Sequence, residues 1–237
     1  MALSRISSDT GINQNAILRR YMDLPKLLDL LHSQELYFRR ADGFSDRLEG
    51  ALFPSLRTTM DNSHADGIAD YNADYFYRRA RVGNYVSCWT MSGKDSMALW
   101  QLYGGVRNSV AITTTVGRLV KAAVSWGRRI HIYRVKYIDH LKMQNYIIGD
   151  YMDVLQFKHE AYKHEKELRV IVPQQVDAWE TNPVALRLSV RNLDEIVRSV
   201  VVAPEAEKEY FNAIKDLCSK YGLRSPVRRS RLTFVPI

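Results

Sequence analysis

Residues 16–40 read AILRRYMDLPKLLDLLHSQELYFRR, and the change of period within this stretch decides the fold class. Ala16 to Tyr21 is a short apolar and aromatic run of strand type. Asp23 follows as a helix N-cap and Pro25 suits a first helical turn. Leu24, Leu27, Leu28 and Leu31 then recur at i, i+3, i+4 and i+7, one buried helical face that closes near His32 and Ser33. Leu36 to Arg39 returns to strand character. Strand, helix and strand in so short a space open an α+β chain.

Working outward, the same reading gives strands at 86–90, 109–114, 130–137, 168–172, 186–190 and 196–202, with a closing strand at 232–235. Helices are expected at 95–103, 118–124, 151–164 and 205–221, the third from apolar positions 154, 157 and 161. Turn residues between 41 and 49 and the polar run 58–72 predict an exposed, irregular excursion. Tyr71, Tyr75, Phe76 and Tyr77 lead from it into Arg78, Arg79 and Arg81 on a helix. With residues 1–15 polar and expected to be loose, the prediction is a flexible segment over 1–15 and one α+β domain over 16–237, a mixed central sheet with flanking helices.

The 237 residues are 46% hydrophobic and 25% charged, which supplies one sizeable core and excludes a disordered, collagenous or coiled-coil chain. Lys and Arg total 34 against 26 Asp and Glu, so the surface at net +8 attracts phosphate-bearing partners. Cys88 and Cys218 stand far apart with no Cys-x-x-Cys pair, which argues against a disulfide framework or structural zinc and fits a cytoplasmic setting. No apolar run has the length of a signal peptide or of a membrane span, so no membrane partner is expected.

Several catalytic signatures fail on their spacing. Gly93-Lys94 lacks the earlier glycine of a phosphate loop and is followed by Asp95. Neither Gly-x-Gly-x-x-Gly nor Gly-x-Ser-x-Gly occurs. His159 and His164 are five apart, roughly 140° around a helix, where a zincin pair needs four.

The densest chemistry lies in His164-Glu165-Lys166-Glu167-Leu168-Arg169. If the strand begins by Glu165, alternation puts Glu165, Glu167 and Arg169 on one face while Leu168, Val170 and Val172 enter the core. A solvated edge strand with a Glu–Arg pair is the alternative. Arg19-Arg20-Tyr21 and Tyr37-Phe38-Arg39-Arg40 end two strands with the groups needed to grip a pyrophosphate and stack on a ring, or else with snorkelling arginines and core tyrosines. Ser45-Asp46 and Glu49 read as turn and cap residues or as acids of a site. Trp89, Met97, Trp100 and Tyr103 read as core, and Arg228, Arg229 and Arg231 as a solvated face.

Leu36-Tyr37-Phe38, Phe44-Ser45-Asp46-Arg47-Leu48-Glu49, Ser87-Cys88-Trp89, Met97 to Tyr103, Val110-Ala111-Ile112, and Lys158 with His164 to Arg169 follow in an order that resembles the bacterial domain-of-unknown-function family 2971. The likeness runs from about residue 17 to the last strand. It departs where that family commonly has Asn-Asp-Pro-Phe-Glu: Ser45 and Arg47 replace Asn and Pro, while Asp46 and Glu49 persist.

A more distant resemblance is to ADP-ribosyltransferases, in the strand-helix-strand opening with Arg20-Tyr21, a middle strand bearing Ser109 and Thr113 to Thr115, and a late Glu165-x-Glu167. It implies an enzyme that cleaves NAD and transfers ADP-ribose to a macromolecule, nucleic acid or protein, in a toxin or phage-defence role with an antitoxin or defence-system partner. Carried over, Arg20 holds NAD with Arg19 beside it, Tyr37 or Tyr21 stacks on nicotinamide, Glu167 is the catalytic carboxylate and Glu165 orients the acceptor. Arg39 joins the NAD-binding set, and Asp46, Glu49, Trp89 and Arg169 are further candidates; no metal is implied. Two competitors stand beside this reading. One is a non-catalytic nucleic-acid or nucleotide-binding module using Arg78, Arg79, Arg81 and the interleaved tyrosines. The other is a metal-dependent nuclease using Asp46, Glu49, Glu165 and Glu167.

Overall fold

The computed structural model describes residues 6–9, 11–46, 48–142, 148–174 and 178–233. Its elements run β1 (Ile6–Ser8), β2 (Ile17–Asp23), α1 (Leu24–Ser33), β3 (Glu35–Arg40), α2 (Pro54–Ala65), α3 (Ala73–Val82), β4 (Asn84–Met91) and α4 (Met97–Tyr103). There follow β5 (Ser109–Thr115), α5 (Val116–Ser125), β6 (Ile130–Arg134), β7 (Lys136–Ile138), β8 (Phe157–His159), β9 (Glu167–Pro173), β10 (Ala185–Ser189), α6 (Leu193–Ile196), β11 (Ser199–Val202), α7 (Lys208–Lys220) and β12 (Val227–Arg229).

The opening unit forms as its periods demand. Asp23 caps α1 by accepting from the Lys26 amide at 3.0 Å, and the helix stops at Gln34, whose left-handed backbone (φ 53°) turns its amide onto the Leu30 carbonyl. The buried face is Leu27, Leu30 and Leu31, so Leu30 takes the place expected for Leu28, which is exposed.

Ten strands make one mixed sheet along the path β1-β6-β9-β4-β2-β5-β11-β12, with β3 pairing β4 and β10 pairing β3; β7 and β8 pair separately. β9 lies between β4 and β6, and Leu168, Val170, Ile171 and Val172 are buried there, so it is a central strand and not a solvated edge. The larger core gathers Leu18, Phe38, Trp89 and Trp100; a smaller one under α3 holds Phe76, Val86, Leu155 and Ile171.

One irregularity places the site. β2 meets β4 only at Leu18–Met91 and Arg19–Thr90, whereas β3 meets the same edge of β4 only at Arg39–Val86 and Arg40–Tyr85. Two strands thus share one edge and diverge, and Ser87, Cys88 and Trp89 have no strand partner on that side. The Arg20 guanidinium bridges the fork, donating to Ser87 Oγ and to the Tyr37 carbonyl, each at 3.1 Å.

Four expectations are corrected. The polar run 58–72 is irregular only from 66 on, because Pro54–Ala65 is helical; that helix buries none of its residues, and a helix without an apolar face leaves no periodic signal. Residues 151–164 are not one helix: 3-10 turns at Asp153–Gln156 and Glu160–Glu165 flank β8, and Ala161, read as part of the apolar face, is exposed. In place of a strand from 232, Arg231–Thr233 form a 3-10 turn, and the rest of that expected strand lies outside the described residues. Trp89 and Trp100 are core, but Met97 and Tyr103 are exposed. Among the described residues no helix is long and apolar enough to cross a membrane.

Candidate active site

A cleft of about 320 Å³ opens at the fork. The residues given a role or named as candidates in the ADP-ribosyltransferase-like reading line it: Arg20, Tyr21, Tyr37, Arg39, Asp46, Glu49, Trp89, Glu165, Glu167 and Arg169. So do Arg19, which the sequence set beside Arg20 at the strand end, and Cys88, Tyr103, Lys158 and Tyr162, which were given no part in a site. Arg47 lies outside the described residues.

The floor is a buried ionic cluster. Arg169, fully buried on β9, holds Glu49 through a two-pronged pair, Nη1–Oε2 and Nη2–Oε1 both at 2.7 Å. Its Nε donates to Glu167 Oε1 at 2.9 Å, and Nη1 also reaches the Leu155 carbonyl at 2.7 Å. Lys158 on β8 donates to Glu165 Oε2 at 2.6 Å and Glu167 Oε2 at 3.2 Å, with Glu49 Oε1 at 3.8 Å. Glu165 and Glu167 do converge, but not by strand alternation. Glu165 ends the 3-10 turn, Lys166 adopts a left-handed backbone (φ 47°), and β9 starts at Glu167.

Three carboxylates therefore face two cations away from water. Burial opposes ionisation of Glu167, yet Arg169 and Lys158 outweigh it and hold the carboxyl at about 2. Burial likewise opposes the Lys158 charge, and Glu167 and Glu165 more than offset it, raising its pKa. Burial and then the hydrogen bond to Glu165 raise the Tyr103 phenol; burial and neighbouring Glu167 push the Cys88 thiol well up. At neutral pH Glu167 is an ionised carboxylate, Lys158 an ammonium and Cys88 an un-ionised thiol.

The opposite wall is cationic. Arg19 pairs with Thr90 and Thr90 with Glu167, so the three form one row across three strands with their side chains on one face. At the usual strand spacing the Arg19 and Glu167 backbones stand about 10 Å apart. Arg19 is 8% exposed and donates Nη2 to the Gly93 carbonyl at 3.0 Å, while its Nε and Nη1 are buried without a partner among the described residues. Asp46 Oδ2 is likewise buried and unpartnered. Arg20 is engaged at the fork, with its guanidinium 5.9 Å from the Trp89 ring centre. The Tyr21 hydroxyl accepts from the Ser96 amide at 3.0 Å.

Arg20, Lys26, Tyr37 and Arg39 also line a second hollow of about 390 Å³, floored by Met22, Leu30, Leu36 and Ile112. Two adjoining hollows thus meet at three cations and a tyrosine.

The residues of the two competing assignments also make contacts within the chain. Arg79 and Arg81 on α3 bond the hydroxyls of Tyr75 and Tyr77, and Arg78, Arg79 and Arg81 lie over the rings of Trp179, Tyr151 and Tyr77. Glu49 and Glu167 direct their oxygens at Arg169, and among the described residues no three His, Cys, Asp or Glu side chains are grouped to hold a metal ion.

No family model matches the chain, so the resemblance to the domain-of-unknown-function family 2971 finds no support there, and no curated protein matches it. Solved structures of DarT from Thermus sp. 2.9 are similar over nearly the whole length. The complex with carba-NAD+ is 9% identical, covering 94% of this chain and 98% of that one at a TM-score of 0.44. The complex with ADP-ribosylated ssDNA is 8% identical, covering 93% and 96% at 0.44, and the complex with NAD+ is 9% identical, covering 93% and 98% at 0.45.

Proposed function

We propose that the chain is an NAD-dependent enzyme of ADP-ribosyltransferase type that moves ADP-ribose from NAD to a macromolecule. The observation that carries this is the row Arg19–Thr90–Glu167: a buried guanidinium whose Nε and Nη1 have no partner among the described residues, and an ionised carboxylate, on one sheet face in a cleft that continues into a second hollow. Buried donors without partners are costly in a folded protein, so Arg19 calls for an anionic acceptor from a ligand. A pyrophosphate meets that need. The aromatic walls at Tyr21 and Tyr37 suit a nicotinamide ring, and the second hollow gives room for the remainder of a dinucleotide.

In this reading Glu167 stabilises the positive charge that develops at the anomeric carbon as the bond to nicotinamide breaks. Glu165 orients the acceptor. Arg19 anchors the phosphate, with Arg39 and Lys26 at the junction of the hollows; Arg20 holds the fork and with it the Tyr37 wall. Nucleic acid as acceptor, and an effector role that a protein partner must restrain, is the finer form of the proposal, and the net charge of +8 supports the first half.

The test is incubation of the protein with adenine-labelled NAD and bacterial lysate, with and without nuclease treatment. Label on a macromolecule together with free nicotinamide is expected. If a folded preparation yields neither product, the reading falls. Arg19→Gln should weaken ADP-ribose binding about ten-fold or more through loss of a charge-assisted contact, measured by calorimetry. Unchanged affinity would remove Arg19 from the phosphate.

A further inference from the structure

Tyr103 is the last residue of α4 and stands at the cleft mouth, 45% exposed, yet its hydroxyl donates to the buried Glu165 at 2.5 Å. The backbone behind it is fixed closely. A Cβ on Gly104 would lie 2.6 Å from Ser109 Cβ and 3.1 Å from the Met22 carbonyl, and Gly105 takes a φ of +86°. Only glycines allow the helix to end so tightly against β2 and β5 and leave the phenol over the carboxylate.

The two oxygens of Glu165 are thereby divided between two donors. Oε1 accepts from Tyr103 and Oε2 from Lys158, which in turn reaches Glu167 at 3.2 Å. A hydrogen-bonded chain links an exposed phenol to the Glu167 carboxylate. Each oxygen of Glu165 keeps a second lone pair for an incoming group.

Resting on the function proposed above, we infer that Tyr103 is a positioning residue for the transfer half of the reaction. It fixes the Glu165 carboxylate so that the acceptor X–H loses its proton there. The balance is complete. The glycosidic bond between the anomeric carbon and nicotinamide breaks, with its electron pair leaving on neutral nicotinamide. The acceptor lone pair forms the new bond to that carbon, and the acceptor proton passes to Glu165. Water taking the acceptor's place gives free ADP-ribose. Glu167 acts on bond breaking, common to both outcomes, whereas Glu165 and Tyr103 bias the outcome toward the macromolecule.

The experiment follows label from adenine-labelled NAD into two products, macromolecule-bound and free ADP-ribose, in lysate. It compares the wild type, Tyr103→Phe, Glu165→Gln and the double variant, each with its melting temperature. Tyr103→Phe should lower the ratio of bound to free product about ten-fold, the effect of one hydrogen bond to a charged group. In the Glu165→Gln background it should lower it no further, because the hydroxyl acts through that carboxylate. Equal loss of both products, or a full additional fall in the double variant, overturns the assignment. A wild type that releases no nicotinamide overturns the parent reading, and this one with it.

Discussion

Glu167→Gln is expected to cut nicotinamide release by about 100- to 1000-fold, the effect of removing one group aimed at charge that develops in a transition state. The amide keeps the shape of the side chain and still accepts from Arg169 Nε, but loses the negative charge that Arg169 and Lys158 maintain. The exchange also improves the charge balance of the floor. Three carboxylates against two cations become two against two, Glu49 on Arg169 and Glu165 on Lys158. The variant nevertheless loses what the ionised carboxyl contributes to stability above pH 4.5, so it should melt below the wild type, and turnover is compared at a temperature where both proteins are folded. A folded Glu167→Gln with full turnover would remove this carboxylate from the reaction.

Arg169→Met should have the largest effect on stability. The guanidinium is fully buried and serves Glu49, Glu167 and the Leu155 carbonyl together. Removing it leaves three buried carboxylates facing the one ammonium of Lys158, which costs about 3–5 kcal/mol. For a chain of this size that corresponds to a fall of roughly 10 °C in melting temperature. The pH dependence has a definite sign. Glu167 sits at about 2 in the folded protein against an ordinary 4.5, so its contribution to stability is whole above pH 4.5 and is lost as the pH falls toward 2. The difference between wild type and Arg169→Met should narrow across that interval, because a protonated carboxyl no longer needs the guanidinium. Melting curves of both proteins from pH 7 downward measure it. A difference that stays constant would place the stabilising effect of Arg169 in packing.

What the sequence disclosed follows from how local each signal is. The α1 cap was legible and its face in part, with Leu27 and Leu31 buried but Leu24 and Leu28 exposed. The Glu165-x-Glu167-x-Arg169 set was named, though a turn at Lys166 and not strand alternation brings the two carboxylates together. Lys158 was named within a family motif but given no role, because its segment has apolar spacing that imitates a helix while folding as a strand between two 3-10 turns. Choosing between Arg19 and Arg20 needs the cross-strand register to Thr90, which no local pattern encodes. Tyr103 follows Trp100 by one helical turn and shares its apolar neighbourhood in sequence, but the helix presents Trp100 to the core and Tyr103 to the cleft. The signal available was Gly104-Gly105 directly behind it, which marks a helix end and hence a side chain at an edge.

The fork at β4 also governs how the wall moves. β3 is joined to the body of the sheet by two register pairs and the Arg20 bridge, whereas β9 is held along its length from both sides. Local opening should therefore be cheapest where β3 leaves β4, with amides of β3 exchanging hydrogen sooner than those of β9. A ligand gripping both walls would draw that difference down, so the seam that makes room for a substrate is also where its arrival would be felt as rigidity.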